Sequence, residues 1–312
     1  MKTKGFFPVV SVIIPVHGDA PHLVSTIQSI QKQNFKEFEV LIILDRASKE
    51  IEKYARDLTL NSENFKVLAS KLPGISHALN LGIKESSGEL IARIDADDLM
   101  RKNRLKLQKA FLETHPDVVC VGSQVTKIDV DGVVIGKSSY PVSTKQITTT
   151  LLFRNCLAHP SVMYRRPSIL EAGGYRPEFD GVEDYDLWLR LSRTGQIRNM
   201  NTELTSYRVW EKQVTRTMNH LVAEKANRAR HSFQNSFDSR RHFSKSEEKN
   251  WLSSAGYFNK SIQSVRNSGE KLSAIQCLFI SFKLTPSLTT RICASYILNY
   301  LSSWLRSFNR EN

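Results

Sequence analysis

Residues 9–16 read Val-Val-Ser-Val-Ile-Ile-Pro-Val, a β-branched and almost continuously apolar run. Such a run is typical of a parallel strand that is buried on both faces of a sheet. Further strands are predicted at residues 38–44, 66–69 and 90–94. Segments with apolar side chains at helical spacing alternate with them, at residues 22–31, 48–58, 74–85 and 101–113. This alternation predicts an α/β fold with a Rossmann-like, mostly parallel sheet flanked by helices.

The regular alternation ends at Pro116. Residues 118–128 and 133–137 flank the sequence Asp-Val-Asp-Gly at 129–132, which predicts a β-hairpin. Beyond it the sequence predicts a helix at 143–151, a strand at 161–164, a helix at 183–192 and two short strands near Ile197 and Leu204. We expect this half to extend the same sheet. From Trp210 onward the strand signals fade, and the remainder is predicted to be helical.

The charge of the chain is unevenly distributed. The 312 residues contain 44 Lys and Arg against 31 Asp and Glu, a net charge of +13. Residues 211–312 supply +9 of this excess, from 16 basic and 7 acidic side chains. Such asymmetry indicates a polyanionic partner, either nucleic acid, an anionic membrane surface or a phosphate-bearing ligand. No helix-turn-helix, zinc-finger or RNP motif is present, so we do not expect nucleic-acid binding.

The basic tail contains two apolar stretches, at residues 274–282 and 292–301. Two interpretations remain open for them: helices that pack on the core, or interfacial helices that rest on anionic lipid. No run reaches the roughly 18 apolar residues of a spanning helix, and no signal peptide is apparent. The four cysteines form no CxxC pair, which favours buried thiols in a reducing compartment over disulfides.

Three of the predicted strands end in residues that could carry chemistry. These ends are Pro15-Val16-His17, Asp45-Arg46 and Asp95-Ala96-Asp97-Asp98. Because the carboxyl ends of parallel strands share one edge of a sheet, the three groups are expected to converge. A single Asp after a strand is often only a helix cap. Three acids within four residues repel one another unless a cation compensates, and Mg²⁺ or Mn²⁺ is the natural partner of carboxylate ligands.

Known nucleotide and hydrolase motifs are missing from the sequence. It has no GxxxxGK[ST], no GxGxxG after the first strand, no HExxH and no GxSxG. These absences leave metal-assisted use of a nucleoside diphosphate compound as the leading hypothesis for the function. A second acidic group, Glu183-Asp184-Tyr185-Asp186, begins a predicted helix. Acids there can simply favour the helix dipole, but one of them could also serve as general base.

Nine short motifs occur in a fixed order along the chain. They lie at residues 10–16, 33–35, 39–45, 74–82, 88–98, 159–162, 173–175, 183–188 and 207–208. In this order and spacing the chain resembles the family 2 glycosyltransferases over about residues 9–215. The resemblance implies an inverting enzyme with a GT-A domain at 1–215, made of a nucleotide-sugar half (about 1–115) and an acceptor half (about 116–215). Residues 216–312 would form a basic helical C-terminal region.

The resemblance also implies roles for individual residues. The residues expected to bind the nucleotide-sugar are Pro15, Asp45, Asn80, Arg93, Asp95 and Asp97. Asp97 and Asp98 are expected to hold Mg²⁺ or Mn²⁺, and Asp184 to act as the catalytic base. His159, Glu183 and Trp188 are expected on the acceptor side. His159 could also be purely structural, and Lys102 and Arg104 are expected either on a solvated helix face or in contact with phosphate.

The sequence departs from the family pattern in three places. His17-Gly18 replaces the usual Tyr-Asn, and Asp45-Arg46-Ala47-Ser48 replaces Asp-Asp-Gly-Ser. Because Arg46 is basic, the expected contact of this loop with the nucleobase or the ribose of the nucleotide is in doubt. No QxxRW follows the second acidic motif, and Arg208-Val209-Trp210 stands there instead. The missing QxxRW favours addition of a single sugar over processive synthesis.

By resemblance, we expect transfer of one sugar from a nucleotide-diphospho-sugar, with a UDP-sugar as the expected donor. The expected acceptor is a lipid-linked oligosaccharide in O-antigen, capsule or exopolysaccharide synthesis. The enzyme would then be cytoplasmic and peripheral at the inner face of the cytoplasmic membrane. Two other classes stay open: a sugar-phosphate nucleotidyltransferase, which also uses paired acids, and a non-catalytic nucleotide-sugar binding module.

Overall fold

The structure is a computed structural model that describes residues 8–60, 62–152, 154–210 and 220–234. Its strands are β1 (Val10–Gly18), β2 (Phe38–Ala47), β3 (Phe65–Ala69), β4 (Leu90–Arg93), β5 (Leu99–Met100), β6 (Val118–Ile128), β7 (Val134–Lys137), β8 (Met163–Arg165) and β9 (Gln196–Arg208). Its helices are α1 (Leu23–Gln31), α2 (Lys49–Leu60), α3 (Ile75–Glu85), α4 (Arg104–Thr114), α5 (Thr144–Leu151), α6 (Arg166–Glu171), α7 (Glu183–Thr194) and α8 (His220–Gln234).

The first half of the chain forms the parallel part of one nine-stranded sheet. Its strands lie in the order β3-β2-β1-β4, and each neighbouring pair is parallel. Val12, Ile13 and Ile14 of β1 are completely buried, so both faces of this strand are covered. Helix α3 packs against β1 and β2, and α2 packs against β3. The α/β architecture predicted from the apolar runs is confirmed.

The second half continues the sheet with mixed strand directions, in the order β8-β6-β9-β5. Strand β8 is antiparallel to both β4 and β6, whereas β6 and β9 are parallel. The prediction of two short strands near Ile197 and Leu204 is wrong, because both belong to β9. The pairing jumps from Met200 to Glu203, and the two exposed residues between them interrupt the apolar pattern without ending the strand.

The predicted hairpin is present between β6 and β7. Gly132 has a φ of +87°, and the Asp129 carboxylate accepts from the backbone N–H groups of Asp131 and Val133. The strand predicted at residues 161–164 begins later than expected. A 3-10 turn occupies His159–Ser161, and β8 starts at Met163. This turn contacts β4, β6 and β9, and His159 within it is buried.

The two interpretations offered for Arg104 are both wrong. Its side chain is completely buried and neither faces solvent nor reaches the cleft. It donates to five oxygens, which are the carbonyls of Arg93, Pro160 and Val162, Oε1 of Gln108 and Oγ1 of Thr205. Burial lowers the pKa of Arg104 to about 9, so the group remains a cation at neutral pH. Lys102, by contrast, is exposed.

Only a short part of the predicted C-terminal region can be described. Helix α8 packs against α7, with the guanidinium of Arg193 5.1 Å from the ring centroid of Phe233. The two apolar stretches at 274–282 and 292–301 lie outside the described residues, as do Cys277 and Cys293. Cys120 and Cys156 are buried free thiols. Within the described ranges, no helix has the length and apolar character needed to cross a membrane.

Candidate active site

A cleft of about 740 Å³ lies at the carboxyl ends of β1, β2 and β4. The predicted convergence of the three strand ends is confirmed, since residues from all three line this cleft. The lining residues from the strand ends are Pro15, Val16, His17, Asp45, Arg46, Asp95 and Asp97. The loop after β1, the start of α3 and Trp210 complete the walls. Parallel pairing of β1 with both β2 and β4 is what brings these residues together.

The acidic cluster after β4 has the geometry of an oxygen-ligand set. Asp95, Asp97 and Asp98 each offer a carboxylate oxygen, and these oxygens all lie within 4.8 Å of one another. Burial and the nearby Asp95 raise the pKa of Asp97 to about 6, and the same causes together with Asp97 raise the pKa of Asp98 well above its ordinary value. Among the described residues, the buried Oδ2 of Asp98 has no hydrogen-bond partner.

These features fit a divalent cation. Three carboxylates and an unpartnered buried oxygen form the hard-oxygen donor set that Mg²⁺ and Mn²⁺ prefer. A dication would also reverse the electrostatic penalty that raises the two pKa values, because opposite charge favours the ionised carboxylates. Asp97 and Asp98, predicted as metal ligands, therefore lie in a suitable cluster, and Asp95 joins them.

Arg93 supplies a buried positive charge beside the acidic cluster. Its side chain is 2% exposed and forms a bidentate ion pair with Asp95. Burial alone would lower the pKa of Arg93, but the charge of Asp95 outweighs it and raises the pKa. The same guanidinium also interacts electrostatically with Glu183. Arg93 thus connects the acidic cluster with the second acidic motif.

Two residues of this region were not predicted as site residues. The backbone N–H of Arg208 donates to Oδ1 of Asp98 at 2.7 Å, and its side chain donates to the carbonyls of Asp97 and Asp129. The indole Nε1 of Trp210 donates to Oδ2 of Asp97 at 3.2 Å. The available signals were the Tyr207-Arg208 pair, one of the nine motifs, and the Arg208-Val209-Trp210 sequence, noted as a departure from QxxRW. Both residues orient the carboxylates of the acidic cluster.

Asp45 lies at the opposite wall of the cleft and is almost buried. Its Oδ2 accepts from the backbone N–H of Gly74 at 3.1 Å, and its Oδ1 accepts from Nε of Arg46 at 3.3 Å. Nδ1 of His17 lies 3.5 Å from the carboxylate. Arg46 has a φ of +52°, a left-handed conformation that is uncommon for a residue other than glycine. His17 and Arg46, the residues that depart from the family pattern, thus both contact Asp45.

Asn80 is not among the residues that line the cleft. Its Nδ2 donates to the carbonyl of Tyr175 at 2.7 Å, and its Oδ1 accepts from the Tyr175 N–H at 2.8 Å. A Cβ on Gly174, which has a φ of +66°, would come within 2.6 Å of the same Oδ1. Asn80 and Gly174 therefore fit each other and fix the position of Tyr175.

The three residues predicted for the acceptor side lie together around His159. Its Nε2 is 2.8 Å from the Tyr175 hydroxyl, and its Nδ1 is 3.7 Å from Oε1 of Glu183. The ring of Trp188, completely buried, packs edge-on against His159 with 5.7 Å between centroids. Burial lowers the pKa of His159 well below its ordinary value, so the imidazole is neutral. Burial and Asp184 raise the pKa of Glu183 to about 7.

Asp184 lies in the first turn of α7 and is half-buried. Its Oδ1 accepts from the Tyr185 N–H at 2.6 Å, and its Oδ2 accepts from Nδ2 of Asn155, also at 2.6 Å. Burial raises the pKa of Asp184, and these two hydrogen bonds oppose the increase. Arg93 and Asp95 are close enough to act on this carboxylate electrostatically. The candidate base is thus subject to the charges of Arg93 and Asp95, and its hydrogen-bond partner Asn155 was not singled out by the sequence.

The sequence profile of Glycosyl transferase family 2 matches residues 11–173, just over half of the chain. The chain belongs to this family. The matched segment contains the cleft-lining strand ends and the acidic cluster. Membership decides the question of class: the protein is a glycosyltransferase rather than a nucleotidyltransferase or a non-catalytic binding module.

Named relatives support this assignment. The glycosyltransferase is 33% identical over 213 residues to the O-antigen biosynthesis glycosyltransferase WbnJ of Escherichia coli, covering 67% of this chain and 83% of WbnJ. It is 27% identical over 207 residues to the amylovoran biosynthesis glycosyltransferase AmsE of Erwinia amylovora, covering 65% of this chain and 77% of AmsE.

Solved structures confirm the GT-A fold. The crystal structure of S. aureus TarS 1–349 in complex with UDP-GlcNAc superimposes with a TM-score of 0.65 at 17% identity, covering 91% of this chain and 83% of the TarS chain. The mannosyltransferase PcManGT from Pyrobaculum calidifontis, in complex with GDP-Man and Mn²⁺, gives a TM-score of 0.57 at 15% identity, covering 96% and 83%. At these identities the likeness concerns the fold alone.

Proposed function

We propose that this glycosyltransferase transfers a single sugar, with inversion, from a UDP-sugar to a hydroxyl of a lipid-linked oligosaccharide during synthesis of a bacterial surface polysaccharide. The observation that carries the proposal is that one buried guanidinium acts on two acidic groups. Arg93 forms an ion pair with Asp95 of the Asp95, Asp97 and Asp98 cluster, and it also acts electrostatically on Asp184. One group suits a metal-bound diphosphate and the other suits an acceptor hydroxyl.

The donor would lie in the cleft at the strand ends. Its volume of about 740 Å³ is within the range of small-molecule sites. Asp45 and Pro15 would contact the nucleoside, and Asp95 would help to hold the ribose and diphosphate. Arg93, which is buried and does not line the cleft, would contribute through its ion pair with Asp95. Trp210, 40% exposed at the cleft wall, offers an aromatic face as well as its bond to Asp97. The UDP-GlcNAc complex of TarS supports a UDP-sugar as donor.

The acidic cluster would hold Mg²⁺ or Mn²⁺ through Asp97 and Asp98. A bound dication supplies positive charge that stabilises a departing diphosphate. The residues of this chain prepare the cluster for such an ion. Arg208 and Trp210 orient the two carboxylates, and burial keeps water away from Asp98. PcManGT in complex with Mn²⁺ supports the same ion here.

Asp184 would act as general base. It accepts the proton of the acceptor hydroxyl while the oxygen forms a bond to the anomeric carbon, and the bond from that carbon to the diphosphate oxygen breaks. Attack from the face opposite the leaving group inverts the configuration, so an α-linked donor gives a β-linked product. Glu183, whose pKa is about 7, and the neutral His159 would line the acceptor side.

The acceptor class rests on the named relatives and on charge. WbnJ is named as a glycosyltransferase of O-antigen biosynthesis and AmsE as one of amylovoran biosynthesis. The net charge of +9 over residues 211–312 favours contact with anionic lipid at the inner face of the cytoplasmic membrane, where a lipid-linked acceptor would be found.

The test is UDP, GDP or dTDP release with Mn²⁺ from UDP-GlcNAc, UDP-galactose, UDP-glucose, GDP-mannose and dTDP-glucose. We expect turnover of one UDP-sugar, its loss in EDTA, and a decrease of more than about 100-fold in Asp184→Asn. Glu171→Gln, an exposed acid on α6, is the matched control and should retain full activity. Turnover that is unaffected by Asp184→Asn would exclude Asp184 as base, and preference for a GDP- or dTDP-sugar would exclude the UDP donor.

A further inference from the structure

We propose that Asn155 is a positioning residue of the transfer reaction, which holds the Asp184 carboxylate ionised and aimed at the acceptor hydroxyl. The inference rests on the proposed role of Asp184 as base. Asn155 lies in the loop that follows α5, in a segment without helical or strand periodicity and outside all nine family motifs. Nothing in the sequence pattern separates it from an ordinary loop amide.

The hydrogen bonds of Asp184 show how it is held. Nδ2 of Asn155 donates to Oδ2, and the N–H of Tyr185 donates to Oδ1, each over 2.6 Å. The N–H of Tyr185 belongs to the backbone of α7 and contacts only one carboxylate oxygen, so by itself it does not fix rotation about the Cβ–Cγ bond of Asp184. The side chain of Asn155 holds the far oxygen, and one donor on each oxygen fixes the plane of the group.

The orientation of the Asn155 amide is itself determined. The backbone N–H of Leu157 donates to Oδ1 of Asn155 at 3.2 Å. An N–H can pair only with the amide oxygen, so the amide nitrogen must face Asp184. The loop is anchored on both sides of this contact. The Arg154 N–H donates to the Thr150 carbonyl at 2.9 Å, and Nδ2 of Asn199 donates to the Cys156 carbonyl at 3.1 Å. Nδ2 of Asn155 is therefore already oriented toward Asp184 before a sugar acceptor binds.

An amide suits this role because it donates without titrating. The ionisable groups that act on Asp184 come from several elements. They are Glu183 on α7, Arg93 and Asp95 at the end of β4, and Tyr140, beside Arg154, before α5. Of these, Arg93 favours the ionised carboxylate, whereas Glu183 and Asp95 oppose it. Burial is the largest cause that raises the pKa of Asp184, and a direct hydrogen bond to Oδ2 opposes this increase and favours the deprotonated form that can take a proton.

Two substitutions separate this role from a merely structural one. Asn155→Asp and Asn155→Ser both retain an oxygen that accepts from the Leu157 N–H, since Asp, Asn and Ser all form such turns. The serine variant loses the donor that reaches Asp184. The aspartate variant places a second carboxylate against it, and two carboxylates at this distance cannot both be ionised.

The assay is the pH dependence of kcat for Mn²⁺-dependent UDP release from UDP-GlcNAc, UDP-galactose and UDP-glucose, with water in the acceptor position. We expect kcat at pH 7 to fall about ten-fold in Asn155→Ser and more in Asn155→Asp. The acid limb of the profile should move up by about one pH unit or more in Asn155→Asp. The donor KM and the melting temperature should stay close to those of the unsubstituted enzyme.

The outcomes distinguish this inference from the proposed function. If Asp184→Asn abolishes turnover while both Asn155 variants keep the original kcat and acid limb, Asp184 is the base and the positioning role is wrong. If Asp184→Asn is fully active, the base assignment fails and the inference fails with it. A fall in melting temperature with an unchanged acid limb would assign Asn155 to the loop alone and would also overturn the proposal.

Discussion

Replacing Arg104 with lysine tests whether this buried guanidinium holds the two halves of the sheet together. Arg104 donates to five oxygens from β4, β9, α4 and the segment before β8. A lysine ammonium has three donors, so at least two of the five acceptors lose their partner. At about 1–2 kcal/mol for each buried acceptor left unpaired, Arg104→Lys should lower the free energy of unfolding by about 2–4 kcal/mol.

Urea titration followed by circular dichroism measures this free energy directly. Lys102→Arg exchanges the same two residue types at an exposed position two residues earlier, and it should change the free energy of unfolding by less than about 0.5 kcal/mol. If Arg104 contacted the donor phosphates instead, Arg104→Lys would weaken donor binding and leave unfolding unchanged. That pair of results would refute the structural role assigned to Arg104.

Three further predictions concern the metal, a glycine and the tail. Because the folded state raises the pKa of Asp97 to about 6, protein in EDTA should lose stability as pH rises from about 4 to 6. Because Asp97 is more ionised at pH 7 than at pH 5, Mn²⁺ should raise the melting temperature more at pH 7. An equal increase at both pH values would contradict the predicted direction of the pH dependence. Gly174→Ala should be less stable than Gly173→Ala by about 1 kcal/mol or more in urea, since both have positive φ but only the first meets Asn80; equal stabilities would exclude the clash. Deletion of 271–312 should abolish flotation with anionic liposomes, and undiminished flotation would remove this segment as the lipid contact.

Much of the donor side could be predicted from the sequence, for a physical reason. A run such as Val10–Gly18 is β-branched because both faces of the strand are buried, and parallel pairing then forces the strand ends to one edge. Asp45, Asp95 and Asp97 could therefore be placed in one cleft from the sequence pattern and the topology alone. The local sequence pattern and the sheet topology agree here, so both predict the same residues at the strand ends.

The contacts that orient the site could not be predicted in this way. Arg104 occupies a helix that looks basic and solvated, and nothing in its periodicity reveals that five acceptor oxygens lie behind it. Asn155 belongs to a loop, where side-chain direction follows from tertiary contacts alone. The role of Arg208 depends on a backbone N–H, which every residue except proline possesses. Such contacts are set by the packed fold, and local periodicity does not predict them.

The charges around the cleft argue for metal dependence on their own. Asp95, Asp97 and Asp98 carry three negative charges when ionised, and the buried cations Arg93, Arg104 and Arg208 lie near them. Burial and the repulsion among the three carboxylates nevertheless raise the pKa values of Asp97 and Asp98. A nucleoside diphosphate brings further negative charge to the same place, which would raise these values again. A dication resolves both repulsions at once, so we expect donor affinity and the ionisation of Asp97 to rise together when Mn²⁺ is added.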